Sequence, residues 1–403
     1  MPRLFIFGLF LLVVLTVIWL IDLVLLRYMN RPWWQNKVVR RVFRVLLPLG
    51  YISVILLGAG EYLGSTTTAL VGSLGTSLIS VIILSLVPAL LVSGLFHLAN
   101  VYLDRREQKK TQSTPEALRE PIDSSRRVFL RRAAIVVPAL TLSTGVVGTM
   151  RSFTGVNVFR KRLSFPNLPA DLEGLRVLHL SDLHLRHYVT TDDLEQVLID
   201  AESHSPDLVV VTGDIADDLD QLPTALNMIS QLGAPLGTYA SLGNHEYFRG
   251  VGRVRRIHEA SPVPLLVDTG HVVRVGQTDL LVAGIDDPRR MGAKETAFYR
   301  RTIDTTLTRS DSHDFSILMS HRPDALDYAS TQGLDLILAG HTHGGQLGLF
   351  NRSVFETYWP ERYLWGHYRR GTTQLYTSSG VGHWFPFRLG CPAEAPVIEL
   401  TRG

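Results

Sequence analysis

The chain has 403 residues, a formal net charge of +3 and 46% hydrophobic residues, with the longest apolar runs in the first 150 positions. This length and this uneven distribution exclude one small soluble domain, so the two parts need separate interpretations. The basic residues lie beside apolar runs, which argues against nucleic-acid binding. The single cysteine, Cys391, excludes an intrachain disulfide and a Cys-x-x-Cys metal or redox site.

Three apolar segments near the N-terminus predict membrane-spanning helices. The first covers residues 4–26 and exceeds the roughly 20 residues that a helix needs to cross a bilayer. It has no cleavage site of small residues, which argues against a removable signal peptide. Residues 45–63 and 70–98 predict two further spans, with a glycine-containing turn at residues 64–75. We therefore predict a three-helix transmembrane region over residues 1–101.

Clusters of basic residues predict the orientation of these spans. Loops rich in Lys and Arg stay on the cytoplasmic side, and such clusters lie at residues 27–44 and 105–110. They place the N-terminus outside the cytoplasm. The polar residues 102–132 then form a cytoplasmic linker.

The end of this linker carries a second targeting signal. Residues 125–130 read S-R-R-V-F-L, which resembles a twin-arginine export signal; the alternative is an ordinary positive flank of a fourth membrane helix over residues 133–150. No clear A-x-A cleavage site follows, so we expect a retained anchor. Four basic residues within positions 151–162 oppose this orientation, but nine between positions 105 and 132 outweigh them. We predict a multi-pass protein of the bacterial cytoplasmic membrane with its C-terminal domain outside the cytoplasm.

A soluble domain is predicted over residues 163–403, after a stalk at residues 151–162. Apolar runs of β-type residues alternate with helical patterns at first and come in pairs later. This order predicts two sheets packed face to face with helices outside. The predicted strands are 175–180, 208–212, 238–242, 272–275, 280–285, 315–319, 336–339, 375–377 and 397–400, and the predicted helices are 191–203, 221–232 and 294–307.

Five of the predicted strands are followed by side chains that can bind a cation. These side chains are Asp182, His184, Asp214, Asn244, His321, His341 and His343. Ligands of open α/β sheets collect beyond the carboxyl ends of the strands, so we expect the five strand ends to converge on one site. The glycines that flank the two last histidines allow the backbone to bend closely beside it.

The donor set predicts the kind of metal. Oxygen and imidazole nitrogen without thiolate suit two divalent transition-metal ions, manganese, iron or zinc, whereas all-oxygen cages favour magnesium or calcium. If Asp214 binds both ions, they lie roughly 3.5 to 4 Å apart, which is the spacing for in-line displacement at phosphorus. A hydroxide between the ions would then be the nucleophile.

In chain order, the motifs D-x-H, G-D-x-x-D, G-N-H-E, a lone histidine and G-H-T-H resemble the calcineurin-like metallophosphoesterase family over residues 176–400. G-H-T-H-G-G-Q-L and S-G-V-G…R-L-G-C are similar to its membrane-associated, twin-arginine-exported phosphodiesterase branch. The chain departs from that branch at Pro392, where an arginine is usual after the cysteine. The resemblance implies an α/β (α+β) fold, a four-layer αββα sandwich, here preceded by an α-helical transmembrane region.

The resemblance also implies roles for the residues that match these motifs. One ion would be held by Asp182, His184, Asp214 and His343, and the other by Asp214, Asn244, His321 and His341. His245 would contact the phosphate or protonate the leaving group, a role that histidine fills near neutral pH. His187 is a further candidate for substrate contact, Asp217 is expected to orient its loop, and Cys391 is expected to be packed in the core.

Residues 349–368 follow the last metal motif and contain seven aromatic side chains. They are Phe350, Phe355, Tyr358, Trp359, Tyr363, Trp365 and Tyr368. They can form a satellite core under a long loop. They can instead form an apolar wall for a lipid-linked substrate, or a membrane-facing lid.

These observations predict a membrane-anchored, dinuclear metal-dependent phosphohydrolase of the phosphodiesterase or pyrophosphatase type. Its partners would be a phosphoester, with or without a lipid group, and the membrane, with no nucleic acid. One alternative is a metal-binding scaffold, regulatory or transport protein without turnover, but the intact ligand set argues against it. Another is an inward-facing pyrophosphatase that acts on a nucleotide-linked lipid. The side of the membrane on which the C-terminal domain lies distinguishes it from the leading hypothesis.

Overall fold

The computed structural model of the chain describes residues 2–113, 124–289, 296–359, 362–383 and 385–403. The chain divides into two compact units, Met1–Met150 and Arg151–Gly403. Each unit is described by itself below. The first contains the apolar helices, and the second contains all of the β-strands.

Among the described residues of the first unit, all but Asn30, Asn36, Gly64 and Ser65 are helical. Its helices are α1 (Pro2–Val24, continued by a π-helical turn over Leu25–Met29), α2 (Arg31–Gln35), α3 (Lys37–Leu63), α4 (Thr66–Ser113) and α5 (Ser124–Ser152), whose last residues enter the second unit. Four helices are long and apolar enough to cross a membrane by length and composition. The transmembrane helices predicted from the sequence are therefore supported.

The turn between α3 and α4 is much shorter than the predicted turn at residues 64–75. Only Gly64 and Ser65 separate the two helices, and Gly64 ends α3 with φ of 67°. Glycines near this turn have a second role, which the sequence did not reveal. A Cβ on Gly60 would lie 2.2 Å from the backbone nitrogen of Ala69, and one on Gly72 would lie 2.1 Å from that of Leu57. These glycines allow two helices to approach closely, as small residues do at membrane helix contacts.

The predicted linker at residues 102–132 is largely helical where the structure describes it. Helix α4 continues to Ser113 and α5 begins at Ser124, while residues 114–123 of this prediction lie outside the described residues. The polar composition indicated a linker, but Arg, Glu, Gln and Lys are good helix formers. The membrane helices are therefore extended by polar turns.

The second unit alternates strands and helices. Its strands are β1 (Asn157–Phe165), β2 (Arg176–Leu180), β3 (Leu208–Thr212), β4 (Thr238–Ser241), β5 (Thr269–Val275), β6 (Thr278–Gly284), β7 (Phe315–Met319), β8 (Leu336–Ala339), β9 (Gly348–Leu349), β10 (Arg352–Ser353), β11 (Gly366–Arg370), β12 (Thr373–Thr377) and β13 (Glu394–Arg402). Its helices are α6 (Thr191–Glu202), α7 (Leu222–Gln231), α8 (Asn244–Arg249), α9 (Val251–Glu259), α10 (Thr296–Arg309) and α11 (Leu326–Ala329). Every strand predicted from the sequence is present, whereas β1, β9 to β11, α8, α9 and α11 were not predicted.

The strands form two main sheets. The first has the order β1-β13-β2-β3-β4, with β2, β3 and β4 parallel and β13 antiparallel to β2. The second has the order β11-β12-β8-β7-β6-β5, with β12, β8, β7 and β6 parallel. Strands β5 and β6 form the predicted antiparallel hairpin. Because parallel strands run the same way, the carboxyl ends of β2 to β4 share one edge of a sheet, and so do those of β7 and β8.

Alternating side chains build three apolar cores. Along β3, Leu208 and Val210 face the core between the two sheets, while Val209 and Val211 face the core under α6, α7 and α9. A third core lies between the second sheet and helices α10 and α11, with Ile337 among its members. Successive strand side chains point to opposite faces, so each sheet is covered on both sides. The layers are helices, sheet, sheet and helices, which confirms the predicted αββα fold.

The predicted stalk at residues 151–162 differs from the structure, because residues 157–162 belong to β1. This strand runs parallel to β13 at the edge of the first sheet. Arg160 and Arg162 point to solvent and pair with Glu399 at 3.9 and 3.1 Å. Charged side chains are typical of edge strands, and here they concealed the strand signal in the sequence.

Candidate metal centre

The side chains predicted as ligands converge at the carboxyl ends of five parallel strands. Each lies within four residues of the end of β2, β3, β4, β7 or β8. Loops from both sheets meet here at close range: a Cβ on Gly340 would lie 1.9 Å from Ser181 Oγ, and one on Gly213 would lie 2.5 Å from the backbone nitrogen of Gly243. Glycine is thus required at both positions.

The backbone of the candidate ligands is unusual. Five of them have φ between 48° and 69°, namely Asp182, His184, Asp214, His341 and His343. This left-handed conformation costs an ordinary residue roughly 1 to 2 kcal/mol. Such strain persists where the surrounding structure enforces it, and it collects at functional sites.

The first group of facing donors consists of Asp182, His184 and His343. His343 Nε2 lies 3.4 Å from Asp182 Oδ1 and 3.2 Å from His184 Nε2. The other ring nitrogen of His184, Nδ1, lies 3.3 Å from Asp217 Oδ2. A bond at Nδ1 directs the Nε2 lone pair of a neutral ring into the group.

The second group consists of Asp214, His321 and His341, with Asn244 beside them. His321 Nε2 lies 3.2 Å from Asp214 Oδ2, 3.2 Å from Asn244 Oδ1 and 3.2 Å from His341 Nδ1. His321 Nδ1 donates to the carbonyl oxygen of Thr212 at 2.8 Å. Again one nitrogen is held by the protein and the other faces the group.

Asp214 connects the two groups. Its Oδ2 lies 3.2 Å from His321 Nε2 and 3.7 Å from His184 Nε2. Its Oδ1 accepts the backbone N–H of His245 at 2.8 Å. Because the side chain is almost fully buried, its charge acts mainly on these neighbours.

The electrostatics fit two cations. Burial disfavours the charged form of His184, but the hydrogen bond to Asp217 and the charges of Asp217, Asp214 and Asp182 raise the pKa of His184 to about 9. Burial likewise opposes the charge on His321, whereas three carboxylates raise the pKa of His321 to about 10. The metal-free protein thus carries one positive ring in each group, where a bound ion would put its charge. The donors present suit divalent transition metals.

We predict that metal binding releases protons. His184 and His321 are protonated below about pH 9 in the metal-free protein, whereas a metal ligand must be neutral. Loading with Mn²⁺ at neutral pH should therefore release protons, and the apparent affinity should weaken as the pH falls. Proton release in weakly buffered solution, followed with an indicator dye, checks this. Binding without proton release at neutral pH would contradict it.

His245 lies at the more open side of the centre, with 19% of its side chain exposed. Its Nδ1 is hydrogen-bonded to Asp217 Oδ1, and its Nε2 lies 3.9 Å from Asp214 Oδ2. Asp217 also accepts from Arg249 Nε at 3.1 Å. Burial opposes the charge on Asp217, but its hydrogen bonds with His184 and His245 hold its pKa well below the usual range. Asp217 therefore orients two imidazoles from other loops, whereas the sequence predicted that it orients its own loop.

Sequence reasoning missed a buried cation at this site. Arg322 is 4% exposed, donates from Nε to Asp287 Oδ2 at 2.8 Å and places Nη1 2.8 Å from His341 Nε2. Its Nη2 lies 3.4 Å from Asn244 Oδ1. Because Asp287 holds the guanidinium of Arg322, its remaining N–H groups point toward the two candidate ligands His341 and Asn244. The sequence offered one indication of this role, since Arg322 directly follows the predicted ligand His321.

Two further buried side chains hold loops around the centre, and only the loops held by Glu246 carry candidate ligands. Glu246 accepts the backbone N–H groups of Asp214, Ile215 and Gly243 at 2.7 to 3.0 Å. Arg388 donates from Nη2 to the carbonyl oxygens of Ser379 at 2.9 Å and Gly382 at 2.6 Å. These contacts fix three loops around the centre.

Three other side chains that can bind a metal or a proton lie outside the two donor groups. Cys391 is fully buried with Sγ 3.4 Å from the carbonyl oxygen of His343, so its predicted packing role is confirmed. Among the described residues, the groups that can hold an ion do not include His187, and its substrate contact stays a prediction. His179 is buried within β2 and hydrogen-bonds Thr212 Oγ1 at 2.9 Å.

The aromatic segment after the metal loop divides into two parts. Trp365 is 5% exposed and donates to Glu394 at 3.2 Å, and its backbone N–H contacts the Tyr368 hydroxyl. These residues belong to the fold. Phe350, Tyr358 and Trp359 are instead 91%, 76% and 53% exposed. The packed role thus applies to one part of the segment, and the apolar wall or membrane-facing lid stays a prediction for the exposed part.

The model of the calcineurin-like phosphoesterases matches residues 175–345 of this chain. The metallophosphoesterase YkuE of Bacillus subtilis is 30% identical, over 68% of this chain and 97% of that protein. The phosphodiesterase YaeI of Escherichia coli is 26% identical, over 60% of this chain and 88% of that protein. A transmembrane protein with a metallophosphoesterase domain from Danio rerio is 28% identical, over 67% and 63%.

Not all relatives are matched over most of their length. The chain spans 61% of a Campylobacter jejuni metallophosphoesterase, to which it is 31% identical, and 60% of each of two Helicobacter pylori relatives. The apolar helices and the transmembrane relative both indicate association with a membrane. The segment matched by the family model contains all seven candidate ligands.

Proposed function

The chain belongs to the calcineurin-like phosphoesterase family, and on this premise we propose that it is a membrane-anchored, dinuclear metal-dependent phosphodiesterase. The observation that carries the proposal is the pair of buried donor groups joined by Asp214. The relative named a phosphodiesterase supports a diester substrate. A pyrophosphate also joins two groups through phosphorus and would be cleaved by the same in-line attack. The exposed aromatic side chains support a substrate that carries a lipid group.

Two ions would be divided between these donor groups. The first would be held by Asp182, His184, Asp214 and His343, and the second by Asp214, Asn244, His321 and His341; the short distances within each group support this division. Bound there, two divalent ions would activate water at neutral pH and neutralise the phosphoryl oxygens.

The protein's own residues orient the reaction. Asp217 holds His245 Nδ1, so that Nε2 faces the opening of the centre and delivers a proton to the leaving oxygen. Asp287 holds Arg322, so that its guanidinium faces the phosphoryl oxygens beside His341. His187 stays a candidate for contact with the rest of the substrate.

We predict that the geometry of Arg322 matters as well as its charge. Arg322→Lys keeps the charge but loses the planar fork, so kcat/KM for a diester should fall about 10- to 100-fold, or about 1.4 to 2.8 kcal/mol. Bound metal, measured by mass spectrometry, should stay unchanged. The matched control is Arg289→Lys, because Arg289 lies near Asp287 but has 55% of its side chain exposed. Equal kinetics for the wild type and Arg322→Lys would contradict the assignment.

The reaction class is tested on the full chain purified in detergent. After chelation it should not hydrolyse bis(4-nitrophenyl) phosphate, and Mn²⁺, Fe²⁺ or Zn²⁺ should restore activity, with less activity on the corresponding monoester. The variant Asp214→Asn, purified identically, excludes a contaminating phosphatase. Tight metal binding without hydrolysis of either compound would favour the non-catalytic scaffold.

The orientation is a separate proposal. The basic residues at positions 27–44 and 105–132 support a domain outside the cytoplasm. Protease added to intact spheroplasts should cut within residues 153–156, between the end of α5 and β1, and release a fragment that begins there. Lysed cells are the positive control. Full protection in intact spheroplasts would favour the inward-facing pyrophosphatase.

A further inference from the structure

The segment that follows the metal loop ends in an unusual β-hairpin. Strands β9 and β10 pair Leu349 with Arg352, which leaves Phe350 and Asn351 as a two-residue turn with φ of 51° and 59°. Such turns need positive φ at both positions and therefore favour Asn and Gly. Phe350 is a poor residue for this conformation, and 91% of it is exposed. Packing within the described residues does not account for an aromatic side chain here.

Exposed apolar side chains concentrate around this turn. In the unit Arg151–Gly403, eight large apolar side chains are exposed among the described residues, and five of them fall within residues 349–359. The four most exposed of these form what we call the aromatic tip: Leu349, Phe350, Tyr358 and Trp359. A soluble surface scatters such residues singly, whereas a cluster marks an interaction site.

The base of the hairpin is firmly attached to the metal loop. Gly348 N donates to the carbonyl oxygen of Leu389 at 2.8 Å, and Val354 N donates to that of Leu347 at 3.0 Å. The ring of Phe355 covers Gly345, where a Cβ would lie 2.5 Å from it. Gly345 is two residues from His343. The aromatic tip is therefore carried on a fixed support next to the candidate metal centre.

We propose that the aromatic tip inserts into the interfacial region of the lipid bilayer. Trp and Tyr favour the membrane–water interface, and an apolar side chain at an exposed turn gains free energy when it leaves water for the acyl boundary. Arg352 at the base of the hairpin is paired with Glu356 at 3.1 Å, so the insertion rests on the apolar side chains. The aromatic tip would thus be the membrane-facing part of the segment 349–368.

A bilayer is favoured over a protein partner because of the anchor. Helix α5 is one of four helices suited to cross a membrane, and only residues 153–156 separate it from β1. The second unit therefore stays within reach of lipid at all times, whereas a protein partner must be captured from solution. The inference rests on the membrane anchoring in the proposed function and not on its chemistry. It adds that the metal centre is presented to diesters at the lipid surface.

A fluorescent label at the turn tests the inference. Asn351→Cys in the full chain is labelled with the environment-sensitive dye NBD, and the chain is reconstituted in vesicles of phosphatidylethanolamine and phosphatidylglycerol. Cys391 is fully buried, and the unsubstituted chain shows how much label it takes. The matched control is Gln332→Cys, in an exposed turn before β8, at the end of that strand opposite to His341.

The expected result is a blue shift of the label at position 351 and loss of its emission with spin-labelled lipids, with neither at position 332. The additional changes Tyr358→Ser and Trp359→Ser should reduce both effects. The effects should persist in the inactive variant Asp214→Asn, so a failure of the catalytic proposal is distinguishable. An emission wavelength at position 351 equal to that of the label in water would overturn the inference. A blue shift that grows with protein density and is not quenched by spin-labelled lipid would also overturn it, because it would indicate contact with a second copy of the chain.

Discussion

Asp214→Asn should lower bound metal and reduce diester hydrolysis by about three orders of magnitude or more, which corresponds to about 4 kcal/mol of lost transition-state stabilisation. The side chain joins both donor groups, with Oδ2 3.2 Å from His321 Nε2 and 3.7 Å from His184 Nε2. An amide of the same shape lacks the charge that would offset two cations. Metal content and kcat of the purified full chain check this.

The fold of this variant should survive. The amide oxygen of Asn can still accept the backbone N–H of His245, and Glu246 still accepts the N–H of residue 214. The matched control is Asp220→Asn, which removes a carboxylate from the same loop with 80% of its side chain exposed. It should keep both metal and turnover. Normal metal content and turnover in Asp214→Asn would refute the bridging assignment.

His245→Ala should retain the metal and lose rate. Its Nε2 is assigned to the leaving oxygen, so its removal should lower kcat by about 100- to 10,000-fold, the range typical of a lost general acid. KM should change little, because the interaction is made mainly in the transition state. Metal analysis and steady-state kinetics on the same preparation check both parts.

A second outcome of this variant is equally informative. His245 also lies within one group of potential ligands, with His184 and Asp214. Metal loss as large as in Asp214→Asn would therefore reassign His245 as a ligand. Asp217→Ala adds to this comparison, because it keeps the His245 ring but removes the carboxylate that is hydrogen-bonded to Nδ1 of His245 and to Nδ1 of His184. We expect it to lower kcat less than His245→Ala does.

The convergence of the candidate ligands was predictable because its signals are local. An apolar run such as Leu336–Ala339 followed by a histidine identifies both a strand and the residue at its end. The convergence of the strand ends follows from the rule for ligands of parallel sheets. For the same reason the αββα layers were predictable, since the continuous apolar run from Leu208 to Val211 is typical of a strand that is covered on both faces.

The features that were missed depend on contacts between distant segments. Arg322 looks like a loop residue until the structure places Asp287, 35 positions earlier, against its guanidinium. Strand β1 was concealed by Arg160 and Arg162, whose partner Glu399 lies near the other end of the chain. The left-handed backbone of the ligands is also absent from the pattern, because tertiary contacts impose it on Asp and His.

A metal titration tests the central claim most directly. The full chain, freed of metal with a chelator, is titrated with Mn²⁺, and bound metal and hydrolysis of bis(4-nitrophenyl) phosphate are measured in the same samples. The two donor groups predict that activity rises until two ions are bound per chain and then stays constant. Full activity with one ion per chain, or activity that survives complete removal of metal, would contradict the dinuclear account.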